Sequence, residues 1–157
     1  MILVLLGTQN NSFHRLLEEV EKNIENGNID EEVMVQAGFT KYESNKMTMF
    51  DEISREKMDE LINESDFIIT HAGVGSIINA LKKEKKVIVV PRLKKYNEHV
   101  NDHQLDIVKD FNSKGYIIGI EDVTMLGEAI KKIRDFKPKK YISNTNNFIK
   151  IIDNYIG

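Results

Sequence analysis

Phe67-Ile-Ile-Thr-His-Ala-Gly-Val-Gly-Ser76 is an apolar run, then a His, two glycines and a Ser, just before a pattern of helical spacing. A strand that enters a helix through such a turn is the unit of an α/β fold. Glycines let the main chain approach an anion, and a helix start offers unpaired N–H groups and positive dipole. Fifteen residues after Ser76, Pro91 ends a second apolar run, Val87-Ile-Val-Val90. A polar stretch comes next, Asn97-Glu-His-Val-Asn-Asp-His-Gln104. Two polar loops on consecutive strand ends suit one pocket for a phosphate with a sugar attached.

Outward from this block, short apolar runs alternate with longer amphipathic ones, the signature of α/β order. Ile2–Leu6 reads as a buried strand with Gly7-Thr8-Gln9 as its exit. Ser12 is the expected N-cap of a helix carrying Phe13, Leu16, Leu17, Val20 and Ile24 at helical spacing. Asn26-Gly27-Asn28 stops it. Further strands are expected at 32–36, 46–50, 67–70, 87–90 and 116–120. Further helices are expected at 76–83, 99–111 and 124–136, and one more after a Ser54 cap. Each strand-to-strand connection is long enough for a right-handed crossover. The predicted fold is α/β, a doubly wound parallel sheet, in which ligands bind at the carboxyl ends of the strands. The Gly7, His71 and Pro91 loops all lie at such ends.

Composition narrows the function classes. The chain has 157 residues, 41% apolar and 30% charged, which suits one soluble domain with a real core. No cysteine is present, so disulfides and thiolate metal sites are excluded. The net charge of −3 argues against nucleic acid held by bulk electrostatics. Met1–Leu6 is too short for a signal h-region, and no apolar run spans a bilayer. The expected location is cytoplasmic, peripheral at the inner face of a membrane through a partner.

His71-Ala-Gly-Val-Gly-Ser76, then Pro91 and Asn101-Asp-His-Gln104, resembles the donor-binding half of GT-B glycosyltransferases, and more narrowly the family 28 C-terminal domain. Gly7-Thr8-Gln9 with Phe13-His-Arg-Leu16 strengthens the match, which runs from about residue 1 to about residue 135. The chain is similar to the free-standing form of that domain, as in the donor subunit of the dolichol-linked N-acetylglucosamine transferase and in bacterial capsule and exopolysaccharide glycosyltransferase subunits. The resemblance implies a Rossmann-like domain over residues 1–137. Residues 138–157 would be a linker and an amphipathic C-terminal helix for partner docking, with Phe148, Ile151, Ile152 and Tyr155 on one stripe.

It also implies roles. Gly7 and Thr8 would line the floor under the phosphates. Gly73, Gly75 and Ser76 would contact the diphosphate, and His103 and Gln104 would read the sugar hydroxyls. Phe50 falls near the loop that would hold the uracil. His71 and Asn79 complete the substrate-binding candidates. Asn79 is a departure, because many relatives carry a Glu there that grips the ribose, and Asn lacks the charge-assisted bond. No acceptor domain fits in 157 residues. The expectation is a split, metal-independent enzyme without a cofactor, using a UDP-hexose or UDP-N-acetylhexosamine. A membrane-anchored partner would bind a lipid-linked acceptor. The alternative is a non-catalytic accessory subunit that stabilises its transferase partner.

Plainer readings stand beside these. His71 alternatively caps the strand–helix turn, and the Gly73/Gly75 pair alternatively serves close packing. His99 and His103 are spaced i, i+4, as in a metal pair, but no third ligand is evident. Glu98 and Asp102 read as solvated loop charges in preference to a catalytic pair. His14 reads as a helix-surface residue. The basic runs at 82–86 and 131–140 read as solvated, with lipid headgroups as the other option.

Overall fold

The computed structural model describes residues 1–142. The order is β1 (Ile2–Leu5), α1 (His14–Glu25), β2 (Val33–Gln36), β3 (Thr48–Phe50), α2 (Arg55–Glu64), β4 (Phe67–His71), α3 (Val74–Lys82), β5 (Val87–Val90), α4 (His103–Ser113), β6 (Ile118–Gly119) and α5 (Leu126–Ile133). The six strands form one parallel sheet in the order β3-β2-β1-β4-β5-β6. The chain therefore leaves β1 in one direction and returns on its other side. That reversal opens a crevice at the carboxyl ends of β1 and β4, where the Gly7 turn and the His71–Ser76 block meet.

Period-two alternation splits the core between the two faces. Ile2, Val4, Phe67, Ile69, Ile88 and Val90 pack with Leu16, Leu17 and Val20 of α1 and Leu126, Ile130 and Ile133 of α5. Leu3, Leu5, Ile68, Val87 and Val89 pack with α2, α3 and α4 through Leu61, Ile62, Ile77, Leu81, Ile107 and Phe111.

Several boundaries differ from the sequence expectations. Ser12 does not cap α1. The helix starts at His14, and the N–H of buried Phe13 donates to Thr40 Oγ1 at 2.9 Å. A core aromatic has taken the cap position, and a distant hydroxyl supplies the acceptor. Ser54 does cap α2, accepting from the Lys57 N–H. Helix α3 begins at Val74, so Gly75 and Ser76 lie in its first turn, not ahead of it. The expected helix at 99–111 begins only at His103; Lys94–Tyr96 is a 3-10 turn, ended by Asn97 at φ +57°. His99 and His103 therefore do not share a helix face. The last strand shrinks to Ile118–Gly119.

Residues 139–141, just after Pro138, remain attached to the domain. The Lys139 N–H donates to the Gly115 carbonyl at 2.9 Å, and Tyr141 packs edge-on against Tyr116. The expected docking helix, 144–156, lies outside the described residues. Two lysines read as solvated have internal roles. Lys85 Nζ donates to the carbonyls of Asn63 and Ser65 at 2.7 and 2.9 Å, and Lys86 Nζ to that of Arg134 at 2.8 Å. His14 is a surface residue, held by Glu18 and Tyr42.

Candidate functional site

The crevice holds a cavity of about 560 Å³. Its floor is built from two chain crossings that approach closely. Gly7 turns the chain out of β1 at φ +79°. The carboxamide of Gln36, at the end of β2, clamps that turn in both directions. Gly7 N–H donates to Gln36 Oε1, and Gln36 Nε2 donates to the Gly7 carbonyl, each at 3.1 Å. Across the floor lies the imidazole of His71, with its Nε2/Cε1 edge between Gly7 and Gly73. A Cβ on either glycine would intrude on the ring.

One wall is the start of α3, with Gly73 as N-cap in extended conformation. The first intrahelical donor is Ile77, whose N–H reaches the Gly73 carbonyl at 3.1 Å. The N–H groups of the first turn before it are left without an intrahelical partner, as at any helix N-terminus. Gly75 has no heavy atom within 4 Å of the place a Cβ would occupy. Ser76 and, three residues on, Asn79 line the same wall. The opposite wall is α2, with Met58, Asp59 and Ile62, and the loop Asp51–Ile53 that precedes it. This wall combines apolar Ile53, Met58 and Ile62 with the carboxylates of Asp51, Glu52 and Asp59 and the guanidinium of Arg55.

Of the expected residues, Gly7, Thr8, His71, Gly73, Gly75, Ser76 and Asn79 line this one cavity. Phe50 does not. It ends β3 and packs into the α2 face of the core, and the next three residues line the cavity in its place. His103 opens α4 away from the cavity, its N–H donating to Asn101 Oδ1 at 3.0 Å. Gln104 is buried behind His71. Its Oε1 accepts from the N–H groups of Ala72 and Arg92, at 3.1 and 3.0 Å.

The Glycosyltransferase family 28 C-terminal domain model matches residues 1–155. The chain belongs to that family. It is 39% identical over 71 residues to the UDP-N-acetylglucosamine transferase subunit ALG13 of Debaryomyces hansenii, covering 43% of this chain and 34% of the relative. It is 24% identical over 132 residues to the UDP-N-acetylglucosamine--N-acetylmuramyl-(pentapeptide) pyrophosphoryl-undecaprenol N-acetylglucosamine transferase of Clostridium botulinum, covering 83% of this chain. The chain spans about a third of the length of these two relatives, 34% and 32%. Its fold is like that of the solution structure of ALG13, with TM-score 0.62 at 18% identity over 99% of this chain and 96% of that one.

In this family 28 domain the loops around the crevice hang on a buried arginine that the sequence pattern did not single out. Arg92, the residue after Pro91, is 1% exposed. Its NH1 donates to the carbonyls of Asn11 and Glu98, at 2.9 and 3.1 Å, and its NH2 to that of Leu6. The guanidinium also stacks over the Phe13 ring. Glu98 corrects a second expectation. It is a buried anchor, 3% exposed, and not a solvated loop charge. It accepts a bidentate pair from Arg15 at 2.9 and 2.9 Å and the Leu93 N–H at 3.1 Å. The available signal was an Arg directly after a buried strand, a place where a charge must be paired.

Burial, reinforced by the positive charge of Arg92, pushes the His71 imidazole down to about 3. His71 is thus neutral when folded, while unfolded His titrates near 6.5. Below that pH the unfolded chain binds the extra proton, so stability is full above about pH 6.5 and falls as pH drops toward 3. The expected loss from this group is about 2 kcal/mol between pH 6.5 and 5. Urea unfolding at those two pH values, compared with His71→Asn, measures it. Equal slopes in the two proteins would contradict the burial of a neutral ring.

Proposed function

We propose that this chain is the donor-binding subunit of a metal-independent UDP-sugar glycosyltransferase, with the diphosphate at the start of α3. The observation that carries this reading is the open first turn of that helix, set over a glycine floor at the sheet's reversal point, in a chain of this family. Backbone N–H groups and the helix dipole would stabilise the diphosphate as it leaves. The recess between α2 and the Asp51–Ile53 loop would take the uracil, and Asn79 would face the ribose. Two relatives are named as N-acetylglucosamine transferases, one on a pyrophosphoryl-undecaprenol acceptor, which supports a UDP-N-acetylhexosamine donor and a lipid-linked acceptor. The pathway would be the synthesis of a glycolipid or cell-surface polysaccharide.

A second subunit would bring the acceptor. Among the described residues, Phe39, Tyr96, Val100, Met125 and Ile142 are large apolar side chains between 45% and 77% exposed. The first four come after the carboxyl ends of strands, on the side where the cavity opens. Exposed apolar residues on that edge suit a partner surface. No described helix is long and apolar enough to cross a membrane, so the reading assigns membrane attachment to the partner.

The accessory-subunit reading has its own support in Asn79 and in Gln104, whose carboxamide is turned away from the cavity. Calorimetry separates the two. The expected result is UDP binding by the isolated chain and sugar transfer only by the complex with the co-purifying partner. A chain and complex that bind no UDP would leave only the accessory role, and transfer by the chain alone would end the split-enzyme reading.

A further inference from the structure

The Gln104 carboxamide has only one workable orientation. Two main-chain N–H groups, from Ala72 at the end of β4 and Arg92 at the end of β5, converge on one of its heteroatoms at 3.1 and 3.0 Å. Only the oxygen accepts, so that heteroatom is Oε1. The reversed amide would set its own N–H donors against two others in a site that is 3% exposed. The remaining atom is then Nε2, which lies 3.3 Å from His71 Nδ1. Nε2 can only donate, so Nδ1 must be the acceptor. A neutral imidazole that accepts at Nδ1 carries its proton at Nε2. That atom lies on the ring edge between Gly7 and Gly73, at the cavity floor.

We propose that Gln104 is a positioning residue that sets the tautomer of His71, so that an N–H is aimed into the cavity floor at the anion site. This differs from the sugar-reading role expected for Gln104. It ties both strand ends to one chemical outcome, since the same carboxamide joins β4 to β5 and selects which imidazole nitrogen faces the ligand. A neutral ring in this tautomer is a donor without being a charge. It supports a diphosphate without setting a second cation beside the buried Arg92. The aimed donor rests on the function proposed above; the tautomer does not.

Two-bond nitrogen–proton correlation spectra of the full chain, at pH 7.5 and without ligand, decide the tautomer. The expected pattern has the proton on His71 Nε2 and a bare Nδ1. A proton on Nδ1 overturns the proposal. In Gln104→Glu one carboxylate oxygen still accepts both main-chain N–H groups, and the other draws the proton to Nδ1, so the pattern inverts. An unchanged pattern in a folded Gln104→Glu would show that residue 104 does not set the tautomer. Titrating UDP into the wild type then tests the donor. The Nε2–H resonance shifts as UDP binds, and the inverted variant binds UDP about ten-fold more weakly. Binding with no shift and no loss overturns the aimed donor. Failure of UDP to bind the wild type counts against the proposed function, with the tautomer result standing.

Discussion

Gly75→Asp should leave the fold intact and remove diphosphate binding, whereas Gly7→Ala should damage the fold itself. Position 75 opens onto free space, and an acidic residue in the first turn of a helix is favoured by the dipole. The unfolding midpoint is therefore expected within a degree or two of wild type, or slightly above it. The new carboxylate would stand where the diphosphate belongs. Like charges at a few ångströms in a partly screened site cost roughly 3 kcal/mol, or about 100-fold in UDP affinity. Gly7 presents the reverse case. Its φ of +79° is strained for an L side chain, and a Cβ there would drive into His71. The expected loss of stability is about 2–4 kcal/mol. Urea unfolding and UDP calorimetry on both variants make the comparison. Full UDP affinity in a folded Gly75→Asp would sink the phosphate assignment.

Arg92→Met is the second large effect, expected to destabilise the chain by about 3–5 kcal/mol. One guanidinium satisfies carbonyls from the end of β1, from the loop before α1 and from Glu98. Removing it orphans all three, and the bonds to Leu6 and Glu98 are buried. It also removes a positive charge near the Glu98 carboxylate, which keeps its ion pair with Arg15. Burial draws Arg92 down to about 10, with Glu98 opposing, so it is charged throughout the neutral range. Arg92→Lys should recover little, because a single ammonium lacks the planar fork that spans three segments. Chemical denaturation of both variants checks this. A Met variant within about 1 kcal/mol of wild type would show that the loops are held by other contacts.

The arrangement of strands and helices was legible because buried parallel strands have an unmistakable local pattern. Ile2–Leu5, Phe67–His71 and Val87–Val90 are buried along their whole length, and the helices between them carry apolar residues at helical spacing. The topology came from connection lengths and crossover handedness, and the rule that ligands bind at the carboxyl ends of strands pointed to the Gly7, His71 and Pro91 loops. Seven of the candidate site residues share that cavity because they sit at strand ends that the topology brings together.

The features that the pattern did not reveal depended on contacts between residues far apart in sequence. Thr40 accepts the N–H of Phe13, which holds the cap position expected of Ser12, across 27 positions. Gln36 holds the Gly7 turn across 29, and Arg92 holds Leu6 across 86. No spacing rule pairs such residues, because their encounter exists only once the sheet has formed. Gln104 shows the same limit in chemical terms. Its residue type and place in a motif suggest a hydroxyl reader, but two main-chain N–H groups claim its oxygen. The sequence by itself determined the α/β order, the sheet's reversal and the loops that carry the site, since periodicity and chain length are local properties. Tertiary structure alone decided which of two similar glycines faces open space, which charges are buried, and which way a carboxamide and its histidine point. Those outcomes depend on what desolvated polar groups find within hydrogen-bond reach in the packed state.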